Sequence, residues 1–177
     1  MAINKTLQGL VAHCVDLALQ TKHAHWNVRG IMFKPVHEQL DGIYSTLTGA
    51  ADTIAERMAA LDFPVDGNSE TLAPATNFEK LAVEFMTPSS IVTAISTRLR
   101  KVVSAFEAAG AEITDDLVTQ NLVLEIAHDL DKDLWMLRVQ SEGDVAAAGK
   151  TPDAKEAAVN KLAKLAGSFT ATRKFPN

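Results

Sequence analysis

Apolar side chains recur at helical spacing along four long stretches of the chain. Within each stretch they are three or four residues apart, which places them on one face of an α-helix. The stretches are residues 5–29, 35–61, 88–109 and 115–142. No segment alternates apolar and polar residues between hairpin turns, so the pattern predicts an all-α fold.

The ends of these stretches carry residues that favour helix boundaries. Gly30 follows the first helix as a stop, and Pro35 falls near the first turn of the second. Thr87 precedes Pro88, a pair typical of an N-cap followed by a first-turn proline, and Thr114 is expected to cap the fourth helix. Four helices with these boundaries predict a four-helix bundle.

A long connection separates the second helix from the third. Its first part, residues 62–76, contains Pro64 and Pro74 and is predicted to be a crossing loop. Its second part, residues 77–85, is predicted to form a short extra helix. Because the connection is long, the two helices that it joins need not be antiparallel neighbours.

Charge divides the chain into two unequal parts. The net charge of −5 argues against a uniformly basic nucleic-acid binder. Residues 150–177 nevertheless carry +4, which leaves −9 on residues 1–149. The last residues are also poor in large apolar side chains. We therefore expect residues 1–143 to form the bundle and residues 144–177 to form a mildly basic C-terminal tail.

Composition also narrows the cellular setting. No apolar run approaches the roughly 18 residues of a membrane span, and the first residues lack the pattern of a secretory signal. Cys14 is the only cysteine, so it cannot form an internal disulfide, and it is expected to be a small buried side chain of the first helix. These features favour a cytoplasmic protein, with a nucleoid association if it binds DNA.

Four ligand-type side chains share one face of the second helix. At 100° per residue, His37, Asp41, Asp52 and Glu56 lie at about 0°, 40°, 60° and 100° around the axis. The large apolar residues of this helix lie between about 240° and 340°, so the core stripe is separate. His37 with Asp41, and Asp52 with Glu56, each have the i,i+4 spacing that brings two side chains to one metal ion.

The two pairs cannot meet within one copy of the helix, because they are roughly 22 Å apart along its axis. Two antiparallel copies related by a two-fold axis would place His37 and Asp41 of one chain opposite Asp52 and Glu56 of the other. His25, where the first helix predicts a core residue, is a fifth candidate ligand. Two imidazoles and three carboxylates suit iron better than structural zinc. On spacing alone, buried or solvent-facing polar residues remain the alternative.

A longer pattern surrounds these candidate ligands. Its parts are Lys22-His-Ala-His25-Trp26-Asn27-Val-Arg-Gly30, Phe33, His37-Glu38-Gln-Leu-Asp41 and Asp52-Thr-Ile-Ala-Glu56-Arg57. In residue types and intervals, this pattern resembles the Dps family, the DNA-binding proteins from starved cells or mini-ferritins. Residues 130–138 also resemble the last helix of that family, so the resemblance covers about residues 5–140.

The resemblance implies a ferritin-like four-helix bundle, with its extra helix in the long crossover, that assembles into a hollow dodecameric shell. It further implies a ferroxidase that oxidises Fe²⁺, preferably with H₂O₂ and otherwise with O₂, at a di-iron site on a two-fold dimer interface. The shell would store the ferric mineral and protect DNA from oxidative damage. The family's ferroxidase ligands, both catalytic and metal-binding, fall on His25, His37, Asp41, Asp52 and Glu56.

Other features of the sequence leave alternatives open. Asp115 and Asp116 are candidates for a three-fold pore that admits iron, although first-turn carboxylates are also ordinary partners of the helix dipole. The family's lysine-rich N-terminal arm is absent, so DNA binding would fall to the C-terminal tail, through nonspecific phosphate contacts. The alternative function is a structural nucleoid protein that compacts DNA without significant ferroxidase activity. Glu125 and His128 form an E-x-x-H pattern, but the second copy that larger di-iron bundles need is absent.

Overall fold

The structure, a computed structural model, describes residues 3–76 and 78–140. Its helices are α1 (Ile3–Asn27), α2 (Phe33–Ala60), α3 (Ser69–Thr76), α4 (Pro88–Glu112) and α5 (Leu117–Arg138). The described ranges contain no strand, and no helix within them is long and apolar enough to cross a membrane. The prediction of an all-α bundle is confirmed. The predicted tail, residues 144–177, lies outside the described residues.

The four long helices pack as two hairpins, α1 with α2 and α4 with α5. Near the end of α2, Arg57 bonds Asp116 and Thr119 at the start of α5, so α2 and α5 are antiparallel. The core lies between the four helices. Its largest fully buried side chains are Phe106, Leu7, Leu17, Leu40, Ile43, Leu47, Ile54, Met58, Ile91, Ile95, Leu99 and Leu130.

The turn between α1 and α2 requires a glycine. Gly30 has a φ of +134°, and a Cβ there would lie 3.1 Å from the Pro88 ring. The predicted stop after the first helix is therefore confirmed, and so is the N-cap of α4, where the Thr87 hydroxyl accepts a hydrogen bond from the Ser90 N–H at 3.2 Å.

The crossover between α2 and α4 differs from the prediction. The short helix is α3, within the stretch predicted to be a loop. The prediction of a helix over residues 77–85 is wrong, because residues 78–85 are non-helical. Tertiary contacts explain the difference, because α3 buries Leu72 and Thr76, and the Thr76 hydroxyl donates to Asp16 of α1. The later segment is held by Met86, whose backbone pairs with Asn27 and Arg29 at 2.9 Å.

The boundaries of α5 also correct the sequence interpretation. Its N-cap is Asp116 rather than Thr114, and its last helical residue is Arg138. Leu117, Leu124 and Trp135 belong to the apolar pattern that predicts this helix, but their side chains are exposed. The face of α5 that enters the core consists of Thr119, Val123, Ala127, Leu130, Leu134 and Leu137.

Candidate metal centre

His25, His37 and Asp41 meet where α1 ends and α2 begins. One ligand atom from each residue lies within 4.8 Å of the other two. Among the described residues, these three are the histidine, cysteine or acidic side chains that lie close enough together, in a group of at least three, to hold a metal ion. His25 is only 7% exposed, whereas half of the Asp41 side chain is open to solvent. The hairpin thus builds a three-ligand cluster that faces outward on one side.

Two reciprocal hydrogen bonds orient the imidazoles. His25 Nδ1 bonds the backbone oxygen of His37, and His37 Nδ1 bonds the backbone oxygen of His25, both at 3.0 Å. A carbonyl oxygen only accepts, so each Nδ1 must carry the proton. The lone pair of each neutral ring therefore lies on Nε2, the nitrogen that remains to bind a metal.

Lys22 is the main electrostatic partner of Asp41. Its ammonium donates to the Asp41 carboxylate and also lies 5.1 Å from the centre of the Tyr44 ring. The hydrogen bond from Lys22, together with the positive charge of its ammonium, holds the pKa of Asp41 below its usual value. The sequence interpretation gave Lys22 no role, although its position one helical turn before His25 is a usable signal.

Asp52 and Glu56 lie on the exposed face of α2, outside the three-ligand cluster. Between them and Asp41, the exposed positions include Gly42 and Gly49, where an added Cβ would meet nothing within 4 Å in the chain. These glycines are therefore not required by packing within one chain. They leave the outer face of α2 smooth enough for another helix to approach.

The two pore candidates differ in their surroundings. Asp115 is exposed, whereas both oxygens of Asp116 bond Arg57 at 3.1 and 2.8 Å. Hydrogen bonds from the Thr119 hydroxyl and N–H, then from Arg57, lower the pKa of Asp116 to about 2. Both aspartates and Glu112 line an open cavity of about 650 Å³ at this end of the bundle. Asp115 thus remains the freer carboxylate.

The remaining chemically reactive side chains lie apart from the cluster. Glu125 and His128 are both exposed on α5, and Glu125 accepts a hydrogen bond from Asn121 at 2.9 Å. Cys14 is buried in the core, as predicted, and burial raises the pKa of its thiol to about 12. Neither feature adds a ligand to the three-residue cluster.

Comparison with known proteins identifies the family. The family model "Ferritin-like domain" matches residues 4–143. The DNA protection during starvation protein of Agrobacterium fabrum is 33% identical over 138 residues, which cover 74% of this chain and 82% of that protein. The Dps of Microbacterium arborescens in its high-iron form is 34% identical, with a TM-score of 0.73, over 77% of this chain and 90% of that one. The Dps92 structure from Deinococcus radiodurans has a TM-score of 0.75 at 27% identity, over 77% and 84% of the two chains. The chain therefore belongs to the Dps family of ferritin-like proteins.

Proposed function

We propose that the protein is a ferroxidase that oxidises Fe²⁺ at a di-iron site shared by two chains and stores the ferric product. The observation that carries the proposal is the convergence of His25, His37 and Asp41, with both imidazoles oriented by backbone hydrogen bonds. Two nitrogens and one carboxylate are three of the five proposed ligands, a set that suits iron. Relatives named for DNA protection and a relative in a high-iron form agree with this function.

The second half of the site would come from another copy of the chain. Asp52 and Glu56 are exposed on the same side of α2 as Asp41 and are too distant to join it within one chain. Antiparallel packing of two α2 helices across a two-fold axis brings them opposite the partner's His37 and Asp41. Gly42 and Gly49, which face open space in one chain, permit the close approach. Each dimer then has two identical sites.

The five ligands support a two-electron reaction in which iron is the substrate. Two Fe²⁺ ions each give one electron to H₂O₂, its O–O bond breaks, and two protons complete two water molecules. Delivering both electrons together avoids the release of hydroxyl radical. Three carboxylates at each site offset most of the charge of the two cations. O₂ is the second oxidant that this proposal admits.

The same proposal includes the assembly. Six two-fold dimers would form a hollow dodecamer, whose acidic body attracts Fe²⁺ and retains the ferric mineral. Iron would enter past Asp115 at a three-fold pore. Removing Fe²⁺ and H₂O₂ together protects DNA, and the basic residues 150–177 add nonspecific contact with DNA in the cytoplasm.

Mixed oligomers test the shared site. His37→Ala and Glu56→Ala chains, carrying different affinity tags, are each assembled alone and then refolded together in equal amounts. Each variant alone should have weak ferroxidase activity. Half of the randomly formed dimers are mixed, and each mixed dimer has one intact site of two, so about a quarter of wild-type activity should return. An intrachain site would be damaged in every subunit and would return nothing, which would contradict the proposal.

The stoichiometry of iron oxidation distinguishes a ferroxidase from the alternative function, a structural nucleoid protein. Fe²⁺ is titrated anaerobically into the wild-type oligomer, and H₂O₂ is then added while Fe³⁺ absorbance is recorded. A ferroxidase oxidises two Fe²⁺ for each H₂O₂, up to a sharp endpoint. A protein that only coats DNA gives the slow oxidation of iron in buffer.

A further inference from the structure

Arg57 forms the principal polar link between the end of α2 and the start of α5. Its Nε donates to the Thr119 hydroxyl at 2.7 Å, and its Nη2 donates to both oxygens of Asp116. Thr119 is fully buried and donates in turn to Asp116. The planar guanidinium is therefore held by several directed hydrogen bonds, which fix its orientation better than a single charge contact would.

This link lies at a part of α2 that needs support. Arg57 is in the last turn, the helix ends at Ala60, and Asp62 then turns with a φ of +60°. Terminal turns of helices fray unless they are held by tertiary contacts. Further back, Thr46 lies on the side of α2 that Arg57 shares, and its hydroxyl is near enough to Asp133 of α5 to offset part of the rise in pKa that burial gives that carboxyl. The directed hydrogen bonds of Arg57 are therefore the polar contacts that hold the end of α2 against α5.

Glu56 precedes Arg57 and points in a different direction. Consecutive helical residues are 100° apart around the axis, so a helix that places Arg57 against α5 places Glu56 outward. Glu56 is exposed, as this geometry requires. Any rotation or fraying of the last turn would move both side chains together.

We propose that Arg57, anchored by Asp116 and Thr119, is a positioning residue that fixes the direction in which Glu56 presents its carboxylate to iron bound with the partner chain. This inference rests on the proposed function. It assigns Asp116 to the support of the metal centre rather than to the pore. Residues that orient metal ligands commonly control affinity without touching the metal.

Complementation can locate the defect of an Arg57 variant in one half of the site. Arg57→Met chains are mixed in equal amounts with His37→Ala chains or with Glu56→Ala chains. If Arg57 acts through Glu56, the first mixture should recover about a quarter of wild-type ferroxidase activity, because mixed dimers contain one undamaged site. The second mixture should recover none, because every site then has a damaged carboxylate half.

A metal-binding measurement supplies a readout other than activity. Co²⁺, which is not oxidised under these conditions, is titrated into each assembled oligomer and followed by its visible absorption. Arg57→Met should weaken Co²⁺ binding about tenfold or more, and Arg57→Lys should restore part of the loss. Asp116→Asn should weaken it as well, although asparagine can still cap α5. Arg100→Met, at an exposed position of α4, is the matched control and should bind Co²⁺ as the wild type does.

The outcomes separate this proposal from the one on which it rests. The mixture of His37→Ala with Glu56→Ala contains no change at Arg57, so its failure would overturn the shared site and the positioning role together. If that mixture recovers activity, Arg57→Met must behave as Glu56→Ala does. It must recover activity when mixed with His37→Ala chains and recover none when mixed with Glu56→Ala chains. Recovery with Glu56→Ala, recovery with neither partner, or unchanged Co²⁺ binding would each overturn the positioning role. If Arg57→Met does not assemble, Arg57→Lys and Asp116→Asn take its place in both mixtures.

Discussion

The rings of His25 and His37 stack face to face, with their centres 3.5 Å apart and 23° between their planes. Each ring donates its Nδ1 proton to the backbone of the other residue, so the pair is held from both sides. The arrangement therefore fixes the orientation of both rings and leaves their Nε2 atoms available as the proposed nitrogen ligands.

The first prediction concerns this imidazole pair. His25→Gln should abolish measurable Co²⁺ binding and ferroxidase activity, because the amide lacks the imidazole lone pair and the ring stack is lost. His23→Gln, two residues away on the same helix, should retain both, since the His23 ring bonds the backbone oxygen of Ala82 and lies outside the three-residue cluster. Co²⁺ titration and peroxide-dependent oxidation of Fe²⁺ are measured for both variants. Equal losses in the two variants would contradict a ligand role for His25.

The second prediction concerns the outer face of α2. Gly49→Leu should leave the helical content of the chain unchanged, because the side chain enters open space in a single chain. It should prevent two α2 helices from packing closely and so reduce both dimer formation and ferroxidase activity. Light scattering after size exclusion measures the assembly.

The control for Gly49→Leu is Thr97→Leu, which places the same side chain at an exposed position of α4. A Gly49→Leu protein that assembles and oxidises iron as well as this control would show that the partner chain packs elsewhere.

A companion change, Gly9→Ala on α1, also places its new side chain in open space and should raise the free energy of unfolding by roughly 0.5 to 1 kcal/mol.

Much of the bundle could be predicted from spacing because its long helices each bury one clear stripe. The same periodicity placed His37 and Asp41 on one face of α2 and His25 at a core position of α1, and the structure brings all three together. The pairing of Asp52 and Glu56 with them stays a prediction, because it depends on a second chain.

The errors of the sequence interpretation arise where tertiary contacts outweigh local pattern. Residues 77–85 have helical spacing, but residues 78–85 are non-helical as the chain approaches Met86, whose backbone pairs with Asn27 and Arg29. α3 forms despite Pro74, because it packs on α1. Asp116 caps α5 in place of Thr114 because its carboxylate also meets Arg57, a partner 59 residues away that no local rule indicates.

The third prediction concerns acid stability. Asp116 has a pKa of about 2 in the folded chain and 3.8 as its ordinary value, so the folded state holds its proton more weakly than the unfolded state. The stabilisation by Asp116 is therefore complete above about pH 4 and is lost as the pH falls toward about 2. Asp116→Asn should be less stable than the wild type near neutral pH and should lose less stability across this acid interval.

Urea unfolding at several pH values measures that difference. Asp115→Asn is the control, because Asp115 is exposed and has no bond to Arg57 among the described contacts. An Asp116→Asn protein whose unfolding free energy falls as steeply as that of the wild type below pH 4 would show that Asp116 does not contribute this pH dependence.

The fourth prediction concerns Cys14. Its thiol is fully buried, and its pKa of about 12 leaves almost no thiolate at neutral pH. Iodoacetamide should therefore react with native protein far more slowly than with protein in denaturant, by several orders of magnitude. Mass spectrometry of timed samples measures the rate. Rapid labelling of an intact oligomer would contradict the burial of Cys14.

The last prediction concerns the basic residues 150–177. Deleting them should leave assembly and ferroxidase activity intact, because they contain none of the five proposed ligands, and should reduce any binding to DNA, because they carry +4 against −9 on the rest of the chain. Gel retardation of one DNA duplex by full-length and truncated protein, across about 50 to 200 mM salt, measures the effect. Full-length binding should fall by orders of magnitude over that interval, as contacts between lysines and phosphates release counterions. Equal retardation by both proteins at every salt concentration would exclude this segment as the DNA-binding element, and loss of the oligomer on truncation would make it part of the shell.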